Sequence, residues 1–425
     1  MQNKSGSQKL NRRDFFRQGS SVAVGAASLA ALGAPAILSG QNLNSRITLG
    51  MIGTGSRGGS ILRSIDKHER SIVTDLCDIY QPNLQESAGY VTRNPKVRTT
   101  EIWEELVERK DLDAVIVSTP LYLHVPMCIA ALETGKHVFS EKSMGLNMKQ
   151  VNQMAAAAAE HADKVYLVGY QSHLNECLAE AKRIYEAGSI GKATQFSVHF
   201  DRNQTWKKED VPAEWERVLN WRLYKEYCGG VLTEVVTHEI DQVLHILGTM
   251  PVKAGFYGEI MVYKDGREHH DSVMGAWEME DGVLGFGTGH FSNTYRGVGW
   301  ILQGTHGTIV SDGGSIKIYW EKAARHLDSF GIEHKFTAVK LGQSLEDVSS
   351  SSMTKPKEFK KEVDGDYELS TGREFEHFYD CILDGVEPLM GAGTARKPSV
   401  AAFMAYESSM NGGRQYTREE IEAMG

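Results

Sequence analysis

The sequence predicts an α/β protein whose N-terminal part is a doubly wound parallel sheet and whose C-terminal part carries strands of antiparallel type. Three observations lead there. A short apolar run, Arg46-Ile47-Thr48-Leu49-Gly50-Met51-Ile52, is followed at once by three spaced glycines and a helix-like stretch. Strand-like runs then alternate with helical patterns at the spacing of parallel crossover units. Beyond residue 255, the short segments GFYGEIMVY, SVMGAWEM, VLGFGTGHF, GWILQG, TIVSD and SIKIYW alternate with turns, which suits antiparallel pairing.

The 425 residues suffice for two domains and a sizeable core. A net charge of −9, with no basic cluster after residue 20, argues against a nucleic-acid or anionic-membrane partner. The five cysteines, Cys77, Cys128, Cys177, Cys228 and Cys381, are scattered and form no C-x-x-C pair. Neither a disulfide framework nor a zinc knuckle is suggested.

Residues 1–40 stand apart from the fold. Lys4, Lys9, Arg12, Arg13 and Arg17 precede an Ala/Gly-rich apolar stretch, SSVAVGAASLAALGAPAIL, which ends on the small-x-small pattern Ala34-Pro35-Ala36. This is the tripartite layout of a secretory signal, and the apolar stretch is short for a stable membrane span. Arg12-Arg13 followed by Asp14-Phe15-Phe16 resembles a twin-arginine signal, with Asn11 where Ser or Thr is usual. A periplasmic location follows as an expectation, with the protein exported folded, its cofactor loaded beforehand, and no membrane association once the signal is removed.

The nucleotide end begins at Gly53-x-Gly55-x-x-Gly58, directly after the first strand. Gly53 allows a tight turn, Gly55 close approach to a pyrophosphate, and Gly58 close helix–strand packing. Ser56 and Arg57 lie between them. The second strand is expected over Ser71 to Cys77, with Asp78 at its end, 20 residues past Gly58. An acid there accepts ribose hydroxyls and repels a 2′-phosphate, which favours NAD over NADP. Asp75 competes for this role but falls inside the apolar run.

A third unit follows. WEELVERK predicts a helix, Ala114 to Ser118 a strand, Pro126 to Thr134 an amphipathic helix stopped by Gly135, and His137 to Ser140 another strand. Thr119, Pro120, His124, Glu141 and Lys142 fall at C-terminal strand ends, where such sheets bind ligands.

Together, GxGxRG, the acid after strand two, DAVIVSTP…H…ALETGKHVFSEK and a later GG…H…D helix resemble the Gfo/Idh/MocA family of nicotinamide-dependent oxidoreductases. The resemblance spans residues 46–425. It implies a Rossmann domain over 46–168 and a substrate-binding and oligomerisation domain over 169–425, the latter built on a large, mostly antiparallel open sheet. It also implies a homodimer or homotetramer, and action on hydroxyls of sugars, cyclitols and glycosides. Lys142 matches the family lysine, and Glu234 and His238 match its Asp-x-x-x-His. Ser143 stands in place of the usual proline, and Glu234 in place of the usual aspartate.

In YCGGVLTEVVTHEIDQVLHILG, the apolar residues support a buried helix running to Gly248, with Glu234, His238, Asp241 and His245 on one face. Four ionisable groups on an apolar helix are costly to bury without partners or a cavity, so the stripe reads as the wall of a polar site. His238 suits a general base for oxidising a secondary alcohol, with Glu234 orienting it or holding a neighbouring hydroxyl. Lys142 suits stabilisation of the developing alkoxide, and the family resemblance leaves open which of Lys142 and His238 takes the proton first. His173, Asp241 and Trp221 are candidate substrate contacts, whereas Trp206 and Trp215 read equally as core plugs.

No metal is expected. HEIDQVLH is not H-E-x-x-H, although Glu234, His238, His173 and His199 could converge on one. Glu268-His269-His270-Asp271 reads as an exposed turn, and residues 325–367 as a flexible polar insertion. The activity the family resemblance favours is C3 oxidation of a sugar or glycoside with captive NAD. The alternative is redox-neutral, NAD-dependent glycoside hydrolysis by oxidation, elimination, hydration and reduction.

Overall fold

The computed structural model describes residues 46–321, 357–360 and 367–425. The expected signal and most of the polar insertion therefore lie outside the described residues. The first sheet contains β1 (Ile47–Ile52), β2 (Ser71–Cys77), β3 (Arg98–Thr100), β4 (Ala114–Val117), β5 (His137–Glu141) and β6 (Tyr166–Gly169). Its order is β3-β2-β1-β4-β5-β6, and every pairing is parallel. The connecting helices are α1 (Ser56–Ile65), α2 (Gln81–Ala88), α3 (Trp103–Val107), α4 (His124–Glu133) and α5 (Met148–Glu160). All four residues of β4, Ala-Val-Ile-Val, are buried, as a strand covered on both faces requires. Strand order reverses between β1 and β4, and the crevice at that switch point is where ligands bind in such sheets.

After α6 (Glu176–Glu186) comes the second sheet, which begins with β7 (Ala193–Asp201). Two helices follow, α7 (Glu216–Leu219) and α8 (Thr237–Leu247). The remaining strands are β8 (Pro251–Glu259), β9 (Ser272–Met279), β10 (Leu284–His290), β11 (Val298–Gly304), β12 (Gly307–Ser311), β13 (Ser315–Trp320), β14 (Lys357–Lys360) and β15 (Tyr416–Thr417). The order is β14-β13-β12-β11-β7-β10-β9-β8-β15, antiparallel except for β7 with β10. In β9, Val273, Trp277 and Met279 are buried while Met274, Ala276 and Glu278 are exposed. This alternation leaves one covered face and one open face.

On the covered face, the Trp277 indole donates to the Ala401 carbonyl at 3.0 Å, from α10 (Ala392–Met410). The open face carries Tyr257, Met274, Leu284 and Phe286. Helix α9 (Tyr367–Asp384) returns from the far end of the chain to the first sheet. Its Phe375 and Phe378 pack against Phe139 of β5, and the Tyr379 hydroxyl meets Ser71 Oγ at 2.8 Å.

Two expectations change. The Glu268–Asp271 run is no exposed turn: His269 and Asp271 are buried, and the Asp271 carboxylate accepts the N–H groups of Met261, Val262 and Tyr263. A single acid caps three consecutive backbone donors, which only the folded loop brings together. Within the stretch read as flexible, Lys357–Lys360 is a strand paired with β13, its Phe359 packed against the core.

Candidate active site

A cleft of about 480 Å³ runs along the C-terminal ends of β1, β4 and β5. Gly53 has φ +87°, and a Cβ there would lie 2.6 Å from the Ser118 carbonyl oxygen. A Cβ on Gly58 would lie 2.2 Å from the Gly53 carbonyl oxygen. Both positions therefore admit no side chain. Gly55 precedes α1 and, with Ser56, brings the helix N-terminus to the cleft. Asp78 accepts the N–H groups of Thr54 and Tyr80, each at 2.8 Å, which fixes its carboxylate at the cleft wall. Asp75, by contrast, is paired with Arg98 and Arg109.

Beyond β4, Ser118 Oγ and Thr119 Oγ1 are buried without a hydrogen-bond partner, and both residues line the cleft beside Pro120. A glycine turn that excludes side chains, a helix N-terminus, a terminal acid and two orphaned hydroxyls fit a dinucleotide.

The other expected cofactor residues are largely engaged with protein. Arg57 Nε donates to Glu141 at 2.5 Å and its Nη1 to Thr371 at 3.0 Å. The two charges hold α1, β5 and α9 together. Beside them Glu374 is buried, and burial pushes its carboxyl pKa well above the usual range. His124 sits with its ring nitrogens 3.0 Å and 2.9 Å from the carbonyl oxygens of Ser143 and Thr119, bridging the loops after β4 and β5. Burial lowers its pKa.

Lys142 and Ser143 follow β5, and the peptide between them is cis, where the family has Lys-Pro. Lys142 Nζ donates to the Glu234 carbonyl and lies 3.8 Å from Glu234 Oε2. Ser143 Oγ donates to the Thr233 carbonyl at 2.7 Å. Both carbonyls belong to a π-helical turn, Leu232–Val236, that precedes α8. The sequence reads as one continuous α-helix here. The wider turn turns Thr233 and Glu234 carbonyls toward side chains of the first sheet, an arrangement periodicity does not encode. Burial lowers the Lys142 pKa, and the neighbouring Glu234 carboxylate opposes that fall. Glu234 also lies 3.4 Å from Arg222 Nε.

Along α8 the predicted stripe divides in two. His238 follows Glu234, its ring edge-to-face with Tyr170 at 5.8 Å; the Tyr170 hydroxyl is 2.9 Å from Thr237 Oγ1. Burial, then the positive Lys142 and Arg57, push His238 down to about 3, so the ring is neutral at neutral pH. His173 and Asp241 correct the expectation of substrate contacts: they bond each other at 2.9 Å with side chains 2% and 3% exposed. Two polar groups buried together satisfy one another more cheaply than either facing a cavity alone. His245 packs on His173, ring centroids 4.3 Å apart, at the end of the stripe remote from Lys142.

His199 lies in β7 and does not join them; among the described residues no group of three or more His, Cys, Asp or Glu is arranged to hold a metal. Trp221 and Trp206 line the cleft, although Trp206 also packs edge-on against Phe291 at 4.4 Å. Trp215 contacts Tyr80 at 5.2 Å. Arg222 and Ser118 carry no sequence signal of their own.

Two family models match the chain. One, an oxidoreductase family with an NAD-binding Rossmann fold, covers residues 47–170; the other, a GFO/IDH/MocA C-terminal domain, covers residues 178–310. A 2,7-anhydro-N-acetylneuraminate hydratase of Escherichia coli (strain K12) is 28% identical over 309 residues, 72% of this chain and 77% of that protein. A glycosyl hydrolase family 109 protein of Solibacter usitatus (strain Ellin6076) is 32% identical over 143 residues, 31% of this chain and 33% of that protein. Among solved structures, a levoglucosan dehydrogenase in complex with NADH has a TM-score of 0.71 at 17% identity, over 89% of this chain and 100% of that one.

Proposed function

The chain belongs to the Gfo/Idh/MocA family of NAD-binding oxidoreductases, enzymes that act on sugars, and from that premise we propose that it oxidises and reduces a ring hydroxyl, C3 by preference, of a sugar or glycoside. The observation that carries this reading is the approach of Lys142 to Glu234, 3.8 Å apart in the wall of a cleft with the features of a dinucleotide site, with His238 four residues further along the same helical segment. NAD, when bound, accepts the hydride from the carbinol carbon. The chain's own groups handle the proton and the oxygen. Neutral His238 accepts the hydroxyl proton, the Lys142 ammonium donates to the oxygen as alkoxide character develops, and Glu234 accepts from a neighbouring sugar hydroxyl.

Asp78 disfavours a 2′-phosphate, which supports NAD rather than NADP. We further propose that the nucleotide stays tightly bound and is recycled, because the twin-arginine pattern at Arg12-Arg13 suits export of a folded, loaded protein to the periplasm. The test is a single-turnover titration of the mature protein with simple glycosides, following the absorbance of reduced bound nicotinamide. Reduction that persists until an oxidised sugar is added supports the reading. A second reading, redox-neutral glycoside hydrolysis through the same transient oxidation, is favoured by the glycosyl hydrolase family 109 relative. Release of free aglycone with no lasting nicotinamide reduction selects it.

The proton assignment has a pH signature. With His238 depressed to about 3, the base is already unprotonated at pH 5. Lys142 titrates below its ordinary value, and its ammonium is present only below that lowered pKa. The single-turnover oxidation rate is therefore expected to be flat from about pH 5 up to the onset of the lysine's titration. It should then fall as pH rises through the lysine's titration. A rate that climbs steadily through that range instead makes Lys142 the base.

Self-association as a homodimer or homotetramer is assigned to the open face of the second sheet. Tyr257 is 65% exposed, Met274 54% and Phe286 40%, an apolar cluster of the kind that marks contact surfaces. The double substitution Met274→Glu, Phe286→Asp is expected to yield a monomer by light scattering, with nucleotide retained. An unchanged mass removes this face from the assembly.

A further inference from the structure

Beside Lys142 and Glu234 the cleft presents a guanidinium held in place from several sides. Arg222 lies in the short turn Trp221–Leu223. Its Cζ lies 4.2 Å from the Trp221 ring centroid and 5.8 Å from that of Trp206. Its Nε side faces Glu234 Oε2 at 3.4 Å. Among the described residues no acceptor takes the Nη1–Nη2 edge, and the side chain is 40% exposed at the cleft wall. A guanidinium anchored on its Nε side by Glu234 and flanked by indole rings, with its two-nitrogen edge open, suits a planar two-oxygen anion.

Local charge agrees. Arg57 and Glu141 cancel at 2.5 Å, so Lys142 and Arg222 face Glu234 alone and leave this end of the cleft positive. Glu234 Oε1 is buried without a partner and is free to accept a hydroxyl. The set comprises a hydroxyl acceptor, an ammonium and a fork for a carboxylate.

We propose that the sugar taken by this cleft is acidic, a uronic acid or its glycoside, with its carboxylate held by Arg222. This rests on the sugar-oxidising reading above. A sulfate ester offers related anionic chemistry, but the planar carboxylate matches the fork with two parallel hydrogen bonds.

The test is calorimetric binding to nucleotide-loaded protein, wild type, Arg222→Met and Arg222→Lys, of three ligands: methyl glucuronide, methyl glucoside and methyl glucoside 6-sulfate. In the wild type the glucuronide is expected to bind about 10- to 100-fold more tightly than the glucoside. Arg222→Met abolishes that margin and Arg222→Lys keeps only part of it, while acid-released nucleotide is unchanged in both. No margin in the wild type, a margin that survives Arg222→Met, a preference for the sulfate, or loss of nucleotide from the variants each overturns the assignment. Binding is read without turnover. Failure of every sugar to reduce the nicotinamide therefore counts against the oxidation reading alone.

Discussion

Replacing Lys142 by methionine is expected to slow single-turnover reduction of the bound nicotinamide by about 10²- to 10³-fold, with nucleotide content unchanged. Methionine keeps most of the length of the side chain and removes the ammonium. The Glu234 carboxylate then retains Arg222 at 3.4 Å as its counter-charge, so the wall of the cleft is not left with an unpaired buried acid. What disappears is the ammonium just after β5 that is proposed to meet a developing alkoxide. Thermal unfolding of the variant guards against a trivial cause, since a core loss would lower the melting temperature as well. A drop of less than tenfold in a well-folded, nucleotide-loaded variant removes Lys142 from the chemistry.

Gly58→Val is expected to purify without nucleotide and to lose about 1–3 kcal/mol of stability. The first atom of the new side chain would lie 2.2 Å from the Gly53 carbonyl oxygen, and that neighbour is backbone, which cannot rotate away. Helix α1 must then retreat from β1, taking its N-terminal N–H groups away from the phosphates they would meet. Acid release and quantitation of the nucleotide read this directly. Full retention in the variant moves the dinucleotide site away from the glycine turn.

Much of this was legible along the chain. The glycine turn, the acid at the end of β2 and the strand ends after β4 and β5 are local features. Chain spacing alone determines where a tight turn, a strand terminus and a helix start will fall. The helix face bearing Glu234, His238, Asp241 and His245 was legible for the same reason, as periodicity. Which of the four face the cleft was not. Burial pairs Asp241 with His173, a partner 68 residues away, and sequence spacing carries no information about such a neighbour. The π-helical turn was equally hidden, because its carbonyls are turned outward to Lys142 and Ser143, which follow β5 of the first sheet.

The sequence by itself thus determined the fold class, the nucleotide end and the chain positions of the lysine, glutamate and histidine proposed for the chemistry. Tertiary structure decided their state and their company. Lys142 is pulled below its ordinary pKa and His238 down to about 3 because folding removes water and sets like charges beside them. Arg222 has Trp221 beside it in the chain, but meets Trp206 and Glu234 only when separate segments close together. Local patterns follow from bonds and periodicity, which are written in chain order. Desolvation and pairing depend on distances through space, and those exist only once the chain has folded.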